Sequence, residues 1–207
     1  MSRWFCRPKR VDLNEAHLSR ARRFAATVVG TVDYSDSNQR WSQKIERDHY
    51  VSKLGEEAVA LVLASRHLVV RGPDYTIYRG REKSWEADLF VAGVPLHVKT
   101  QTADSGDRYG HSWTFQNSAR RRDPVLLEPA AWVCFVTAYE RHCLVYPPYQ
   151  MHELTLGDPK LTHLRGKKRV AYAVDLPRIW QEEDFATDQA LRSDARPERS
   201  AENPFGV

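Results

Sequence analysis

The spacing of apolar residues changes from a helical to a strand-like period near residue 66, which limits the chain to folds that combine helices with a sheet. Apolar residues recur every three or four positions between about Trp41 and Ser65, and this predicts a long helix. The residues of its apolar stripe are Leu54, Ala58, Leu61 and Val62. Apolar and polar residues alternate instead from Trp85 to Val91, which predicts a strand with two different faces.

Further periodic segments predict a second helix and a set of short strands. The helix runs from Asn14 to about Val29, with apolar residues again at helical spacing. A polar loop is predicted at residues 102–111. The additional strands are predicted at residues 67–71, 94–101, 131–138, 142–146 and 170–174. This order of elements predicts an α/β domain built around a central sheet.

The same patterns divide the chain into three segments. Residues 1–40 are predicted to form an N-terminal helical extension, and residues 41–180 the folded core. Residues 181–207 are polar and are predicted to form a loosely ordered tail. The length of 207 residues suits one ordinary domain with tails.

Positive charge is concentrated in the first 180 residues. The whole chain has 31 basic and 27 acidic residues, and residues 181–207 contribute 3 basic and 7 acidic ones. Residues 1–180 therefore carry 28 basic and 20 acidic residues, a net charge of +8. A protein region with this net positive charge attracts polyanions such as nucleic acid. An ordinary basic surface explains the charge equally well.

Composition and cysteine usage predict an intracellular, cytoplasmic protein with no membrane partner. No apolar run approaches the ~20 residues that a membrane-spanning helix requires. The first residues have no apolar segment of the kind found in secretory signals. Cys6, Cys134 and Cys143 form no CxxC pair and have no zinc-type spacing, which favours a reducing compartment.

The candidate chemistry lies in a hairpin that the dipeptide Ala92-Gly93 is predicted to close. If these two residues form the turn, Asp88 lies opposite His97, and directly paired residues have Cβ atoms about 4.5–5.5 Å apart. Lys99 and Gln101 then project from the same face as His97. A hairpin with one solvated polar face has the same spacing, so spacing alone leaves that interpretation open.

This set of polar groups matches the requirements of phosphodiester hydrolysis. A divalent cation shared by Asp88 and His97 would offset charge on the phosphate and lower the pKa of an attacking water. The ammonium group of Lys99 would orient that water and stabilise the charge that develops in the transition state. The pattern therefore predicts a metal-dependent hydrolase.

The hairpin and the helix before it resemble the PD-(D/E)XK nuclease superfamily, which includes restriction enzymes and Holliday junction resolvases. Its signature is a helix with a glutamate, an aspartate in one strand and an acidic-x-Lys tripeptide in the next. Asp88 resembles the metal-binding aspartate, Lys99 the lysine, and Gln101 the polar residue often found two positions later. The resemblance covers about residues 45–145 and implies a restriction-endonuclease-like core, a central mixed sheet flanked by helices.

The resemblance also implies an acidic group on the helix that precedes the hairpin. Glu57 is the preferred residue because it lies nearer the apolar stripe, and Glu56 is the alternative. Pro73-Asp74 matches the literal PD of the family name but comes one strand too early. Asp74 is therefore a second alternative for completing the site.

The chain departs from the family pattern at His97, where the family usually has Glu or Asp. Imidazole is neutral and softer than carboxylate, so this change should weaken Mg²⁺ relative to Mn²⁺ or later transition metals. The same replacement is also compatible with a site of impaired activity.

Two clusters of basic residues are candidate phosphate contacts. Arg120, Arg121 and Arg122 follow an aromatic and amide-rich stretch, an arrangement that suits nucleic-acid binding. Lys167 and Lys168 lie in a second basic cluster that is predicted to be a loop. A solvated turn is the alternative interpretation of the second cluster.

The sequence therefore predicts a metal-dependent DNA endonuclease of the restriction or phage type. Asp88, His97 and Glu57 would bind Mg²⁺ or Mn²⁺, Lys99 would position the nucleophile, and Gln101 would tune the site by hydrogen bonding. The alternative is a nuclease-fold protein that binds nucleic acid, or assembles with it, with little or no catalysis. RNA is an alternative substrate, and a homodimer is compatible with the prediction.

Overall fold

The computed structural model describes residues 3–29, 31, 41–78, 87–119 and 122–179. The chain up to Pro177 forms one compact unit. The predicted tail at residues 181–207 lies outside the described residues. Among the helices that the structure describes, none combines the length and the apolar character needed to cross a membrane.

Both predicted helices are confirmed. The first, α1, spans Glu15–Val28, and the second, α2, spans Ser42–Ala64. The helix α1 begins at Asn14 because the side chain of this residue accepts a hydrogen bond from the His17 backbone N–H at 3.1 Å. Apolar residues at helical spacing, such as Leu18 and Ala21, are buried where α1 packs against α2.

The central sheet is mixed, so the predicted α/β class is confirmed. In order of position it contains β1 (Lys9–Asp12), β7 (His142–Val145), β6 (Trp132–Ala138), β4 (Val94–Thr102), β3 (Leu89–Val91) and β2 (Val70–Arg71), with β8 (Tyr149–Gln150) also paired to β6. The pair β4–β6 is parallel, and the other pairs are antiparallel. The predicted N-terminal segment thus contributes α1 and also an edge strand, β1, that was not predicted.

The two faces of the sheet are covered by different kinds of element. The helix α2 packs against β4, β6 and β7. A second, two-stranded sheet consists of β5 (Ser112–Gln116) and β9 (Lys168–Tyr172). The ring of Trp113 in β5 stacks on Phe135 in β6 with 4.6 Å between ring centres. Every residue of β6 is buried because apolar groups cover both faces.

The hairpin forms as predicted. Ala92 and Gly93 have φ angles of 48° and 83°, the positive values that a tight two-residue turn between antiparallel strands requires. Val91 pairs with Val94, and the ladder continues to Leu89 opposite Leu96. The described strand β3 begins at Leu89, and the predicted start at residues 85–86 lies outside the described residues.

Three other predicted boundaries require correction. Residues 67–68 lie in the turn that follows α2 rather than in a strand, since His67 has a φ of 58° and the Leu68 N–H bonds back to the Leu63 carbonyl. The predicted loop at 102–111 contains a short helix, α3 (Ala103–Tyr109), because the Thr102 side chain accepts from the Ser105 N–H and caps it. The last strand covers residues 168–172 rather than 170–174.

Candidate active site

Asp88 lies where β3 and β4 stop pairing. The described ladder between these strands ends at Leu89 and Leu96, whereas β6 follows the other edge of β4 as far as Thr102. One oxygen of Asp88, Oδ2, accepts a hydrogen bond from the Val98 backbone N–H at 2.7 Å. The carboxylate therefore lies at the edge of β4 directly beyond the paired part of the hairpin.

His97 is the residue opposite Asp88 when this register is extended by one position. Burial lowers the pKa of His97, while Asp88 acts in the opposite direction and Lys99 adds to the decrease. The charges of Asp123 and Glu128 also favour the protonated ring. The result is an imidazole that is neutral at neutral pH, with a nitrogen lone pair that can bind a metal.

Lys99 points away from α2, toward the side of the sheet that carries β5. Its Nζ lies 2.5 Å from Asp123 Oδ2 and 5.3 Å from the centre of the Phe115 ring. Both partners are largely enclosed, with 25% of the Lys99 side chain and 14% of the Asp123 side chain exposed. An ion pair of this kind holds the ammonium group in one place.

Asp123 was not predicted from the sequence. The residue precedes Pro124 in a short helical turn and has no periodic neighbours that would assign it to a face. Its only sequence signal is the position directly after the arginine triplet. Its role as the partner of Lys99 depends on a contact between residues 24 positions apart.

The two glutamates of α2 have different partners. The buried carboxylate of Glu57 lies 2.5 Å from Arg20 Nη2 and accepts a hydrogen bond of 2.6 Å from the Tyr75 hydroxyl. Glu56 is also buried and lies 2.6 Å from Lys53 Nζ. Glu57 therefore ties α2 to α1 and to the segment that contains Tyr75.

Glu56 is the glutamate that interacts with Asp88. Burial, followed by the negative charge of Asp88, raises the pKa of Glu56 to about 8, although Lys53 acts in the opposite direction. Asp74 is exposed and accepts hydrogen bonds from the Thr76 N–H at 2.8 Å and the Tyr78 hydroxyl at 3.0 Å. These contacts stabilise its own turn.

Gln101 organises the chain after α3. Its Oε1 accepts a hydrogen bond from the Ser112 N–H at 2.7 Å, and its Nε2 donates to the Gly110 carbonyl at 3.3 Å. The side chain thus joins the last part of β4 to the start of β5. Its amide is engaged in these two bonds rather than directed at Asp88.

The basic candidates are only partly described. Arg120 and Arg121 lie outside the described residues, and Arg122 forms an isolated bridge with Asn117. Lys167 is exposed, and Lys168 begins β9. Lys167 thus lies just before a strand, in a turn closed by the bond from its N–H to the Leu164 carbonyl at 3.0 Å.

Asp88 lies at the part of β4 that carries His97 and Lys99, and Asp123 forms an ion pair with Lys99. In the described part of the chain, no group of three or more His, Cys, Asp or Glu side chains is arranged to hold a metal ion. Comparisons with protein-family models, curated proteins and solved structures found no match. The functional interpretation therefore depends on the residues of the chain itself.

Proposed function

We infer that this protein is a divalent-metal-dependent deoxyribonuclease of the PD-(D/E)XK type, an endonuclease of the restriction or phage kind. The observation that carries this inference is the position of Asp88, whose carboxylate accepts from the Val98 N–H, next to His97 and Lys99 at alternate positions of β4. A carboxylate, a neutral imidazole and an ammonium group at one strand edge suit phosphodiester hydrolysis. The intracellular setting and the cytoplasmic location predicted from composition are consistent with such an enzyme.

The arrangement of elements supports the restriction-endonuclease-like fold. The helix α2, which carries Glu56 and Glu57, packs against the sheet whose strands β3 and β4 carry the hairpin. A glutamate-bearing helix next to an Asp-bearing and a Lys-bearing strand is the arrangement that the family signature implies. The mixed sheet with α2 on one face agrees with it.

The proposed cation is Mg²⁺ or Mn²⁺. Asp88 would bind the cation through Oδ1, because Oδ2 is engaged by the Val98 N–H, and His97 would bind it through a ring nitrogen. Two protein ligands are compatible with a cation that takes its other ligands from water and from the substrate phosphate. When bound, the cation would activate water and offset charge on the phosphate.

We propose that Glu56 is the helix glutamate of the site. Glu57, which the sequence favoured, is the alternative. Both carboxylates are engaged, Glu57 by Arg20 and Tyr75 and Glu56 by Lys53 and Ser52. The choice rests on the charge of Asp88, which acts on Glu56. Glu56 would act through water or through Asp88.

Lys99 would position the attacking water and stabilise the developing negative charge. Its ammonium group is held against Asp123 over the Phe115 ring, so it needs little reorganisation during the reaction. Asp123 is thus a positioning residue. Gln101 supports the site by holding β4 against the start of β5.

The second candidate function is a nuclease-fold protein that binds nucleic acid or assembles with it, without turnover. Two observations favour it. The described residues present no group of three potential metal ligands, and the charge of Lys99 is already offset by Asp123. RNA would serve as a substrate or ligand of either function, and a homodimer would allow both strands of a duplex to be contacted.

Incubation of supercoiled plasmid with the protein and Mg²⁺ or Mn²⁺ separates the two functions. We expect cleavage that Asp88→Ala and Lys99→Ala each reduce by roughly 10²-fold or more, since each removes a group that acts in the transition state. Asp12→Ala is the matched control because this exposed aspartate lies on β1, at the far edge of the sheet. Equal activity in Asp88→Ala and the control contradicts the nuclease proposal, and plasmid binding without cleavage supports the binding protein.

A further inference from the structure

An open cleft of about 690 Å³ lies next to Lys99 and Gln101. Its walls come from the first half of α2, from α3, and from the two-stranded sheet formed by β5 and β9. The end of β4, residues 99–102, forms its floor. Ligand pockets have volumes of roughly 300–1,000 Å³, so the cleft has room for a ligand of one or two nucleotides.

The cleft is strongly basic. Two acidic side chains, Asp48 and Asp104, line it. The basic residues that line it are Lys44, Arg47, Lys99, Arg108, Lys160 and Lys168. A concave surface with an excess of one charge concentrates the field and attracts ligands of opposite charge. Because this charge is positive, the cleft favours an anionic ligand.

Several of these cations are available to a ligand. Arg108 and Lys160 are exposed and have no acidic partner among the described residues. Arg47 is exposed as well, and its nearest acidic contact, Asp104 Oδ2, is 3.7 Å away. A long, solvated ion pair of this kind contributes little and is readily exchanged for a phosphate. These three residues belong to three separate segments of the chain, so they present spaced positive charges rather than one cluster.

Aromatic rings accompany the basic residues. Tyr109, at the end of α3, is 37% exposed, and Tyr172 lines the opposite wall. The hydroxyl of Tyr172 donates to the Asp158 carbonyl at 2.8 Å, which fixes the ring, and Lys160 Nζ lies 5.9 Å from its centre. A basic groove with aromatic rings is the arrangement by which proteins bind single strands, since bases stack on the rings while cations contact phosphates.

The cleft leads to the candidate active site. Lys99 lines the cleft and also interacts with His97, and Asp88 lies at the edge of β4 near the beginning of this floor. Asp88 and His97 do not line the cleft, so a strand bound along residues 99–102 would have to extend past Lys99 to reach them. A volume of about 690 Å³ accommodates one or two nucleotides of a single strand.

We propose that this cleft binds single-stranded nucleic acid, with phosphates on Arg47, Arg108 and Lys160 and a base stacked on Tyr109. Delivery of the strand to Asp88 and His97 rests on the proposed nuclease function, but strand binding does not. None of these four residues was identified from the sequence. The inferred substrate is therefore a single-stranded, flap or frayed segment rather than an intact duplex.

Binding of fluorescently labelled oligothymidylate, measured by anisotropy in EDTA over a range of salt concentrations, tests the proposal without any cleavage. We expect Arg108→Ala/Lys160→Ala to weaken binding roughly tenfold at low salt, because two phosphate contacts are lost. The slope of log K against log salt should fall in magnitude by about 0.7 for each lost contact. Lys9→Ala/Arg10→Ala removes the same charge from β1, three strands away from β4, and should change neither quantity.

Stacking is tested separately with Tyr109. Tyr109→Ala should weaken oligothymidylate binding without changing the salt slope, and Tyr109→Phe should bind like the parent protein. Circular dichroism of each variant checks that the fold is retained. The proposal would be overturned if Arg108→Ala/Lys160→Ala and Lys9→Ala/Arg10→Ala lost the same oligothymidylate affinity. It would also be overturned if the parent protein bound a duplex of the same length equally well.

The binding result is independent of the cleavage result. If the cleft variants lose oligothymidylate binding but neither plasmid nor single-stranded DNA is cut with Mg²⁺ or Mn²⁺, the cleft is supported and the nuclease proposal fails. If plasmid is cut but the cleft variants bind oligothymidylate like the parent protein, the cleft proposal fails alone.

Discussion

His97 stands where the family signature has a carboxylate, and its surroundings determine what it can bind. Burial lowers its pKa, so the ring is neutral at neutral pH despite the nearby charge of Asp88. A neutral nitrogen donor adds no negative charge to the site. In the proposed metal site, His97 would therefore favour Mn²⁺ over Mg²⁺, which prefers oxygen ligands.

His97→Glu should shift the metal preference of plasmid cleavage toward Mg²⁺ by about tenfold or more, because a second carboxylate then faces the cation. The preference is measured as the ratio of cleavage rates in Mg²⁺ and Mn²⁺. His97→Gln, which supplies a neutral ligand of similar length, is the control and should leave the ratio near that of the parent. An active His97→Glu protein with an unchanged ratio would contradict a ligand role for His97.

At the scale of elements, the contact between α2 and β4 links the stability of the fold to the geometry of the site. A Cβ atom at Gly55 would lie 1.9 Å from Thr100 Oγ1 and 3.0 Å from Thr100 Cβ. The helix can therefore approach the strand this closely only with glycine at position 55. The same approach brings Glu56, the next residue of α2, within reach of Asp88.

Gly55→Ala should destabilise the protein by about 1–3 kcal/mol, because the added methyl group forces α2 and β4 apart. Helix propensity alone predicts the opposite sign, a gain of up to about 1 kcal/mol. Urea unfolding of Gly55→Ala and of Gly55→Ala/Thr100→Ala measures the effect, with Thr100→Ala as the control. The double variant should recover part of the loss, because Oγ1 is removed while the Cβ of residue 100 stays 3.0 Å from the added methyl group. A Gly55→Ala protein as stable as the parent would refute close packing at this contact.

At the scale of the whole molecule, the buried carboxyl of Glu56 makes folding depend on pH. Its pKa in the folded protein, about 8, is above the value near 4.5 of an exposed glutamate. The folded state therefore holds a proton that the unfolded state releases between these two values. The Glu56 carboxyl therefore contributes its full stabilisation below about pH 4.5, and this stabilisation is lost as the pH rises through about 8.

Glu56→Gln should remove this dependence. Across the interval from about pH 5 to 8, the free energy of unfolding of the parent protein should fall by up to about 1.4 kcal/mol per pH unit relative to the variant. Denaturant unfolding at several pH values in EDTA measures the difference, and Glu46→Gln, an exposed glutamate of the same helix, is the control. Parallel pH profiles for the parent and Glu56→Gln would show that this carboxyl is not the titrating group.

Local patterns in the sequence were sufficient for the helices, the hairpin and the α/β class. Helical spacing identified α1 and α2, and Ala92-Gly93 identified the turn that sets Asp88 opposite His97. These features depend on contacts between residues close together in the chain. The periodicity of apolar residues and the conformation of a two-residue turn therefore carry enough information to predict them.

Other features followed from contacts between residues far apart in the chain. Asp123 reaches Lys99 from 24 positions away, and Tyr75 contacts Glu57 from 18 positions away. The cleft combines residues from α2, α3 and β9, so no single stretch of sequence contains its pattern of charge. Such contacts are set by how the elements pack, which hydrophobic burial and close fit determine for the molecule as a whole.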